Sequence, residues 1–268
     1  MEYFDIKYEK VSESQDKYEK QKNWNIAFGM QAVDNLTPSK YMVDLAKENI
    51  EGNRTCEAVE SKINTYYQNQ NEINLKEKEA DEVSIRIVKI LQDKSFTFNY
   101  LVLKQYHRKL FEGLNIGIDE KYIGKFRDYN ITKIEEVLDG DTVQYADYSM
   151  IEETLKYDFS EEEKQNYLAM TDKQKIERLS KFTSDIWQVH PFGEGNTRTC
   201  ALFIQKYLIS KGFEMNNELF KDNSKYFRDA LVLANYSNIS QGIEANNKYL
   251  KMFFENLLLG GKNELKIK

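Results

Sequence analysis

The stretch "HPFGEGNTRTCALF", residues 190–203, is the part of the sequence from which the fold and the function of this chain are predicted. It holds one of the two histidines of the sequence, and an acid, two glycines and an arginine follow within nine residues. Pro191 disfavours helical angles at His190, so a helix that arrives from the N-terminal side should end there. The apolar residues after Asn196 predict a buried helix. The stretch therefore predicts a loop that joins two helices.

The loop combines groups that suit a phosphate ligand. A helix N-terminus offers unpaired N–H groups and a partial positive charge, and Arg198 in its first turn can add a two-pronged contact. Glu194 would repel a phosphate unless a divalent cation lay between them, an arrangement typical of Mg²⁺. His190 titrates near neutral pH and can remove a proton from a hydroxyl. The alternative is structural: a buried histidine at a helix end, with Asn196 capping the next helix.

The flanking sequence predicts an all-α body. Apolar residues spaced by three or four between Ile176 and Val189 indicate a helix that ends at His190. Residues 201–209 are apolar nearly all round, as in the central helix of a bundle, and Gly212 should end that helix. Trp187 and His107 are both expected in the interior, His107 as a histidine whose hydrogen bonds are satisfied.

One segment interrupts the helical pattern. Two short runs, residues 131–137 and 142–145, flank Asp139-Gly140-Asp141, and Asp-Gly between such runs is a hairpin signal. The segment therefore predicts a small β-hairpin flap on an otherwise helical domain. Arg127, just before it, is expected to anchor the base of the flap.

The N-terminal part predicts a separate three-helix module. A break between Asn35 and Pro38 divides two helices, and either Thr37 or Ser39 can cap the second of them. Thr55 is the expected N-cap of the third helix. The predicted boundaries are a flexible lead-in at residues 1–22, the helical module at 23–70, the main domain at 75–260 and a tail at 261–268, with the polar stretch 68–76 as the division.

Composition excludes several classes of function. A net charge of −6 argues against a nucleic-acid binder, which needs a basic surface. No apolar run approaches the roughly 18 residues of a membrane span, and the charged N-terminus is not a signal peptide. Two cysteines cannot build a disulfide framework, so a reducing cytoplasm is the expected compartment. Delivery to another cell by a route without such a signal stays open, as does a homodimer.

The loop resembles the signature of the Fic (Fic/Doc) family, His-x-Phe-x-Asp/Glu-Gly-Asn-Gly-Arg-x-x-Arg. Six of its eight defined positions match, from His190 to Arg198. The flanks "HRKLFEGL", "GKFRDYNI" and "YFRDALVLANYSN" resemble the family as well. The resemblance implies a Fic-type helical bundle that transfers AMP from ATP, with Mg²⁺, to a Ser, Thr or Tyr hydroxyl of a target protein.

The resemblance also implies a role for each matching position. His190 would be the general base, Glu194 the magnesium ligand and Phe192 the anchor of the loop. The implied phosphate-binding positions are Gly193, Gly195, Asn196, Thr197 and Arg198. The flap would align a target segment by strand addition, through Ile131, Thr132, Val143, Gln144 and Tyr145.

Two positions depart from the signature. Thr197 replaces a glycine, and Ala201 replaces the second arginine, which in the family contacts the distal phosphates of ATP. The Doc branch, which phosphorylates its target, shows similar departures, so phosphotransfer or another nucleotidyl transfer stays an alternative. A catalytically weak module that binds nucleotide or protein is the hypothesis from another class.

The N-terminal module resembles the small antitoxin that accompanies many Fic domains. Its inhibitory motif, Ser/Thr-x-x-x-Glu-Gly/Asn, aligns with Met30, Asp34 and Asn35. Asp34 is one methylene shorter than glutamate, and the arginine with which it would pair is absent at Ala201. The motif is therefore degenerate, and Glu51-Gly52 is a weaker candidate because Lys47 stands at its Ser/Thr position. Plain packing without regulation is the alternative for this module.

Overall fold

The structure, a computed structural model, describes residues 11–215 and 218–267 and confirms the all-α class. Within these ranges the only β pairing is an isolated bridge between Asn238 and Ile243. The helices are α1 (Val11–Ala32), α2 (Lys40–Ile50), α3 (Cys56–Gln68), α4 (Leu75–Gln92), α5 (Leu101–Phe111), α6 (Ile151–Glu163), α7 (Asp172–Val189), α8 (Asn196–Ser210), α9 (Glu218–Asn235) and α10 (Lys248–Leu259).

None of the helices in these two ranges combines the length and the apolar character that crossing a membrane requires.

The chain divides into two compact units at Ser95–Phe96. Of the described residues, 218–224 also belong to the first unit, and the second unit continues from Lys225. This division lies about one helix later than the predicted boundary at residues 68–76, because α4 packs against α1 and α3 of the first unit. Asn223 has non-helical angles inside α9, next to the point where that helix passes from one unit to the other.

The ends of the helices in the first unit follow local sequence signals. Ser39 caps α2 by accepting a hydrogen bond from the Met42 N–H, and Thr55 caps α3 in the same way. The structure differs from the expected lead-in: α1 begins at Val11, and residues 1–10 lie outside the described ranges. The C-terminal half of α1 is packed and therefore already helical. Each further residue towards the N-terminus adds one hydrogen bond to an existing helix, so α1 extends there without an apolar pattern.

A buried carboxylate joins three helices of the first unit. Asp81 of α4 is fully buried, and its two oxygens accept hydrogen bonds from the Ser39 backbone N–H, the Ser39 hydroxyl and the Tyr67 hydroxyl at 2.6–2.7 Å. Burial raises the pKa of Asp81 to about 6, against these donors, which lower it. The start of α2 and the end of α3 are thereby fixed to the middle of α4.

In the second unit α7 contacts α6, α8 and α10, while α5 packs against α8. Aromatic rings fill the space between these helices, and Phe182 and Phe203 are fully buried among them. Glu162 is buried too and accepts hydrogen bonds from the hydroxyls of Tyr167 and Tyr207 and from Arg178. This packing fixes the end of α7 relative to the start of α8, where the 190–195 loop joins them.

We expect Ser39→Ala to lower the free energy of unfolding by about 2 kcal/mol, because it removes both the N-cap and a donor to the buried Asp81 carboxylate. Urea denaturation measures this change. Thr37→Ala is the matched control, since Thr37 is exposed and the cap is Ser39. Equal destabilisation by the two substitutions would contradict the assignment of the cap.

Candidate functional site

The loop between α7 and α8 has the shape that the sequence predicts. His190 ends α7 in a left-handed conformation with φ 46°, and its backbone N–H donates to the Trp187 carbonyl. Gly195 precedes α8 with φ 73°, and α8 begins at Asn196. Backbone N–H groups in the first turn of α8 have no partner within the helix and carry the positive end of its dipole. The loop therefore ends on a site suited to an anion.

His190 is held as a neutral imidazole. Its Nδ1 lies 3.0 Å from the Trp187 carbonyl oxygen, and because a carbonyl only accepts, Nδ1 carries the proton and Nε2 the lone pair. The Tyr145 ring stacks on the imidazole at 4.0 Å, and the residue is only 5% exposed. Burial lowers the pKa of His190 to about 3. The ring thus presents an unprotonated nitrogen throughout the neutral pH range.

Phe192 and Asn196 hold the loop together from inside. Phe192 is buried, as an anchor of the loop should be. The side-chain oxygen of Asn196 accepts from the Phe192 N–H, and its side-chain nitrogen donates to the Phe192 carbonyl, both at 2.9 Å. Both polar atoms of the Asn196 side chain are therefore engaged in closing the loop. What Asn196 offers an anion is its backbone N–H.

The two glycines of the loop face side chains of the protein itself. A Cβ at Gly193 would lie 2.5 Å from the Tyr129 hydroxyl, and one at Gly195 would lie 2.4 Å from the Phe111 ring. The Phe111 ring also takes part in a cation–π contact, with the Arg198 guanidinium 4.8 Å from the ring centre. Arg198 is 1% exposed, so this guanidinium lies beneath the loop rather than on its surface.

The two positions that depart from the signature are both buried in α8. The Thr197 hydroxyl accepts a hydrogen bond of 3.0 Å from the Trp187 indole N–H, which ties α8 to α7. Its own hydroxyl proton can still be donated. Ala201 is fully buried and brings no charge to the site.

Glu194 is the acidic group of the loop. Its Oε1 accepts from the Gly195 N–H at 2.9 Å and lies 3.6 Å from the ammonium of Lys133, which comes from the flap. Within residues 11–215 and 218–267, no three His, Cys, Asp or Glu side chains gather as a metal site. A half-buried single carboxylate beside a helix N-terminus fits a magnesium ion whose other ligands are phosphate oxygens and water.

The flap segment, residues 131–145, turns back on itself but forms no regular strands. The predicted turn is confirmed, since Asp139 and Gly140 have φ values of 51° and 95°. The predicted strand pairing is wrong for these residues: the Lys133 N–H donates to the Thr142 hydroxyl, where a ladder would use a backbone carbonyl. A short 3₁₀ turn at Glu136–Leu138 also takes up part of the first predicted strand.

The five predicted docking residues of the flap do not share one face. Val143 and Tyr145 are buried, and Tyr145 covers His190. Ile131 is half-buried, whereas Thr132 and Gln144 are exposed. Side chains of Thr132 and Gln144 are therefore the ones that a partner can reach in this arrangement of the flap.

The flap is tied to α9 and to the segment that follows it. The contacts join carboxylates of the flap to basic or phenolic groups: Glu135 to Arg228 at 2.8 Å, Glu136 to Lys225 at 3.6 Å and Asp141 to Tyr236 at 2.7 Å. The Tyr145 hydroxyl also donates to Glu135. These polar contacts hold the flap over the loop without a hydrogen-bonded sheet.

His107 of α5 is a loop-positioning residue whose role the sequence does not reveal. It is fully buried, and its ring stacks on Phe192 at 4.0 Å. Its Nδ1 accepts from the Gly124 N–H, which leaves Nε2 to donate to the Glu194 carbonyl at 3.1 Å. Burial lowers the pKa of His107 to about 4. The partner lies 87 residues away in the sequence, so local pattern carries no signal for this contact.

Arg127 joins the end of α7 to both ends of the flap. It is 2% exposed, and its backbone N–H donates to the Pro191 carbonyl. The guanidinium donates to four backbone carbonyls, those of Tyr129, Ala146, Val189 and His190, at 2.5–3.3 Å. The predicted anchor of the flap base therefore also holds the residue that carries the imidazole.

The expected inhibitory pair lies in the first unit, in the turn that ends α1. Asp34 is half-buried and Asn35 is exposed, with a left-handed φ of 56°. Their N–H groups donate to the carbonyls of Gln31 and Ala32. The turn geometry accounts for the asparagine, since Asn tolerates the left-handed region better than most residues.

Two comparisons with known proteins each find a Fic protein. Residues 97–208 match the sequence model of the Fic/DOC family. The fold is similar to the crystal structure of the N-terminal FIC domain of Bep8, a VirB-translocated effector protein from Bartonella sp. 1-1C, with a TM-score of 0.53 and 18% identity over 70% of this chain and 88% of that one. No curated protein matches the sequence.

We expect Arg127→Lys to lower the free energy of unfolding by about 3 kcal/mol, because an ammonium cannot serve carbonyls in several directions and leaves buried oxygens unpaired. Urea denaturation of the full chain measures this. The exposed Arg108, changed to Lys, is the control and should alter stability by less than about 0.5 kcal/mol. A stability loss as small as that of the control would show that the hydrogen bonds of Arg127 to these carbonyls do not stabilise the fold.

The pH dependence of stability tests the state of His190. A buried histidine with a folded pKa of about 3 binds fewer protons than the unfolded chain, so its contribution to stability is lost as pH falls below about 6.5. His190→Gln does not titrate. Between pH 7 and pH 5 this variant should lose about 2 kcal/mol less stability than the unsubstituted chain.

The control for this measurement is Gln241→Ala, which alters an exposed side chain and keeps both histidines. Its stability should follow the same pH dependence as the unsubstituted chain. If His190→Gln shows that dependence too, His190 is not held neutral by the fold.

Proposed function

The chain carries a Fic domain at residues 97–208, and on this premise we propose that it is a protein adenylyltransferase, which transfers AMP from ATP to a hydroxyl side chain of a target protein. The observation that carries the proposal is the state of His190. Its Nε2 holds a lone pair because Nδ1 donates to the Trp187 carbonyl, and it lies at the start of the loop that leads into α8. A base beside an anion site is what this transfer requires.

The reaction follows from these groups. The lone pair on Nε2 of His190 takes the proton of a Ser, Thr or Tyr hydroxyl as its oxygen attacks the α-phosphorus of ATP. The bond from that phosphorus to the bridging oxygen breaks, and pyrophosphate leaves with the bonding electrons. Backbone N–H groups at the start of α8, from Asn196 onwards, stabilise the charge on the phosphate oxygens. Asn196 and His107 keep the loop in the shape that aims these groups.

Magnesium enters the proposal through Glu194. Its carboxylate would hold the ion, which when bound neutralises phosphate charge and orients the leaving pyrophosphate. The Gly195 N–H and the Lys133 ammonium both contact Oε1 of this carboxylate, which holds the carboxylate in place and balances its charge. The chain therefore keeps an acidic group in place for a cation before any nucleotide arrives.

Access to the base requires the flap to move. Because His190 is 5% exposed and Tyr145 stacks on it, a target hydroxyl reaches Nε2 only after Tyr145 has swung away. The Glu136–Lys225 ion pair of the flap is exposed and costs little to break, whereas the buried Glu135–Arg228 pair would have to separate as Tyr145 moves. Thr132 and Gln144 then lie where a target segment can bind along the flap backbone.

Phosphotransfer is the second candidate, and the buried Thr197 and Ala201 favour it. Without a second arginine, nothing in α8 at that position holds the distal phosphates, so the nucleotide can bind with its γ-phosphorus near Nε2. Attack on that phosphorus would transfer a phosphoryl group and release ADP. The two reactions use the same base and differ in which phosphate lies beside it.

Labelled ATP separates the two candidates. The full chain is incubated with Mg²⁺ and ATP labelled at either the α or the γ position, and label on the protein and in the released products is followed. Adenylyl transfer predicts label from the α position alone, with pyrophosphate released. His190→Ala should lower the transfer about 100-fold or more, because general base catalysis contributes at least that factor. Gln241→Ala serves as the matched exposed control.

Label from the γ position alone would replace adenylyl transfer by phosphotransfer. Absence of any label or product that depends on His190 would leave neither reaction, and the loop would then be a binding site only. Glu194→Gln adds a second check: its transfer should need a higher concentration of Mg²⁺ than that of the unsubstituted chain, since the metal loses its protein carboxylate.

A further inference from the structure

Lys133 is a cation of the flap that the signature does not include. Its Nζ lies 3.6 Å from Oε1 of Glu194, and its backbone N–H is fixed by the Thr142 hydroxyl. About a third of its side chain is exposed, so the ammonium can reach both the loop and solvent. The flap thus brings a positive charge to the place where the proposed function puts a magnesium nucleotide.

Among the described residues, the cationic side chains of Lys133, Arg127 and Arg228 act on the His190 imidazole, and the two arginines have other partners. Arg127 donates to backbone carbonyls of the loop and the flap base, and Arg228 donates to Glu135. The third, Lys133, forms its ion pair in the described ranges with Glu194. Lys133 is therefore the cation that would lose its partner, Glu194, to a bound metal ion.

A change of partner follows from charge balance. A divalent cation on Glu194 neutralises that carboxylate, and the Lys133 ammonium is then left beside the phosphate oxygens that complete the metal shell. A lysine has a flexible stem and three donors, so it can shift by a few ångströms between the two. Ala201 supplies no charge from α8, which leaves the distal phosphates without the cation that the family signature provides.

We propose that Lys133 binds the terminal phosphates of ATP, leaving Glu194 when the magnesium nucleotide arrives, and so supplies from the flap the charge that is missing at Ala201. The inference rests on the proposed function. The flap, which the proposed function uses to bind the target, would then also bind the nucleotide through Lys133. The competing role is the opposite one: a lysine that blocks the metal position and weakens nucleotide binding.

Calorimetric titration of the full chain with Mg²⁺–ATP and with AMP tests the proposal. Lys133→Met should raise the Kd for ATP about tenfold, the scale of one charge-assisted hydrogen bond, while the Kd for AMP, which lacks terminal phosphates, changes less than about twofold. Lys133→Arg should restore most of the affinity. Lys225→Met is the matched control, because Lys225 pairs with Glu136 of the flap and should leave both constants unchanged.

An unchanged or lower Kd for ATP in Lys133→Met overturns the proposal, and a lower Kd assigns the blocking role. Equal losses for ATP and AMP overturn it as well, because the lysine would then shape the site without distinguishing the terminal phosphates. If the unsubstituted chain binds no ATP at all, the proposed function itself fails. A failure confined to the Lys133 variants leaves that function standing.

Discussion

The arrangement of the second unit depends on one buried guanidinium. Arg127 donates to backbone carbonyls at the end of α7 and at both ends of the flap. A carbonyl at a helix end has lost its helical partner and must be hydrogen-bonded if it is buried. Arg127 meets that requirement and also holds the flap. The position of the His190 imidazole is therefore linked to that of Tyr145, the flap residue that stacks on it.

The chemistry of the loop follows from this constraint. With the carbonyls of Val189 and His190 held by Arg127, α7 ends where Pro191 requires it to end, and the Trp187 carbonyl accepts both the backbone N–H and the Nδ1–H of His190. On the other side, Asn196 and His107 close the loop on Phe192 and Glu194. The basic nitrogen, the acidic group and the start of α8 are placed by hydrogen bonds to backbone rather than by contacts among themselves.

Sequence reasoning succeeds here where the cause is local and fails where it is distant. The helix ends at Ser39, Thr55 and His190, and the turn at Asp139-Gly140, follow from residues within a few positions of each. The prediction of strands in the flap is wrong because the Thr142 hydroxyl and the ion pairs with α9 replace the backbone pairing of a hairpin. The contacts of His107 and Lys133 with the loop join segments more than 60 residues apart in the sequence, and no periodicity records them.

The glycines of the loop have a consequence for affinity. Gly193 and Gly195 lie against Tyr129 and Phe111, so the loop is shaped by the protein's own packing and is already in place without a ligand. A preorganised loop loses little conformational entropy on binding. Under the proposed function, the entropic cost of binding a target would therefore fall mainly on the flap, and the movement of the flap would decide the selectivity among targets.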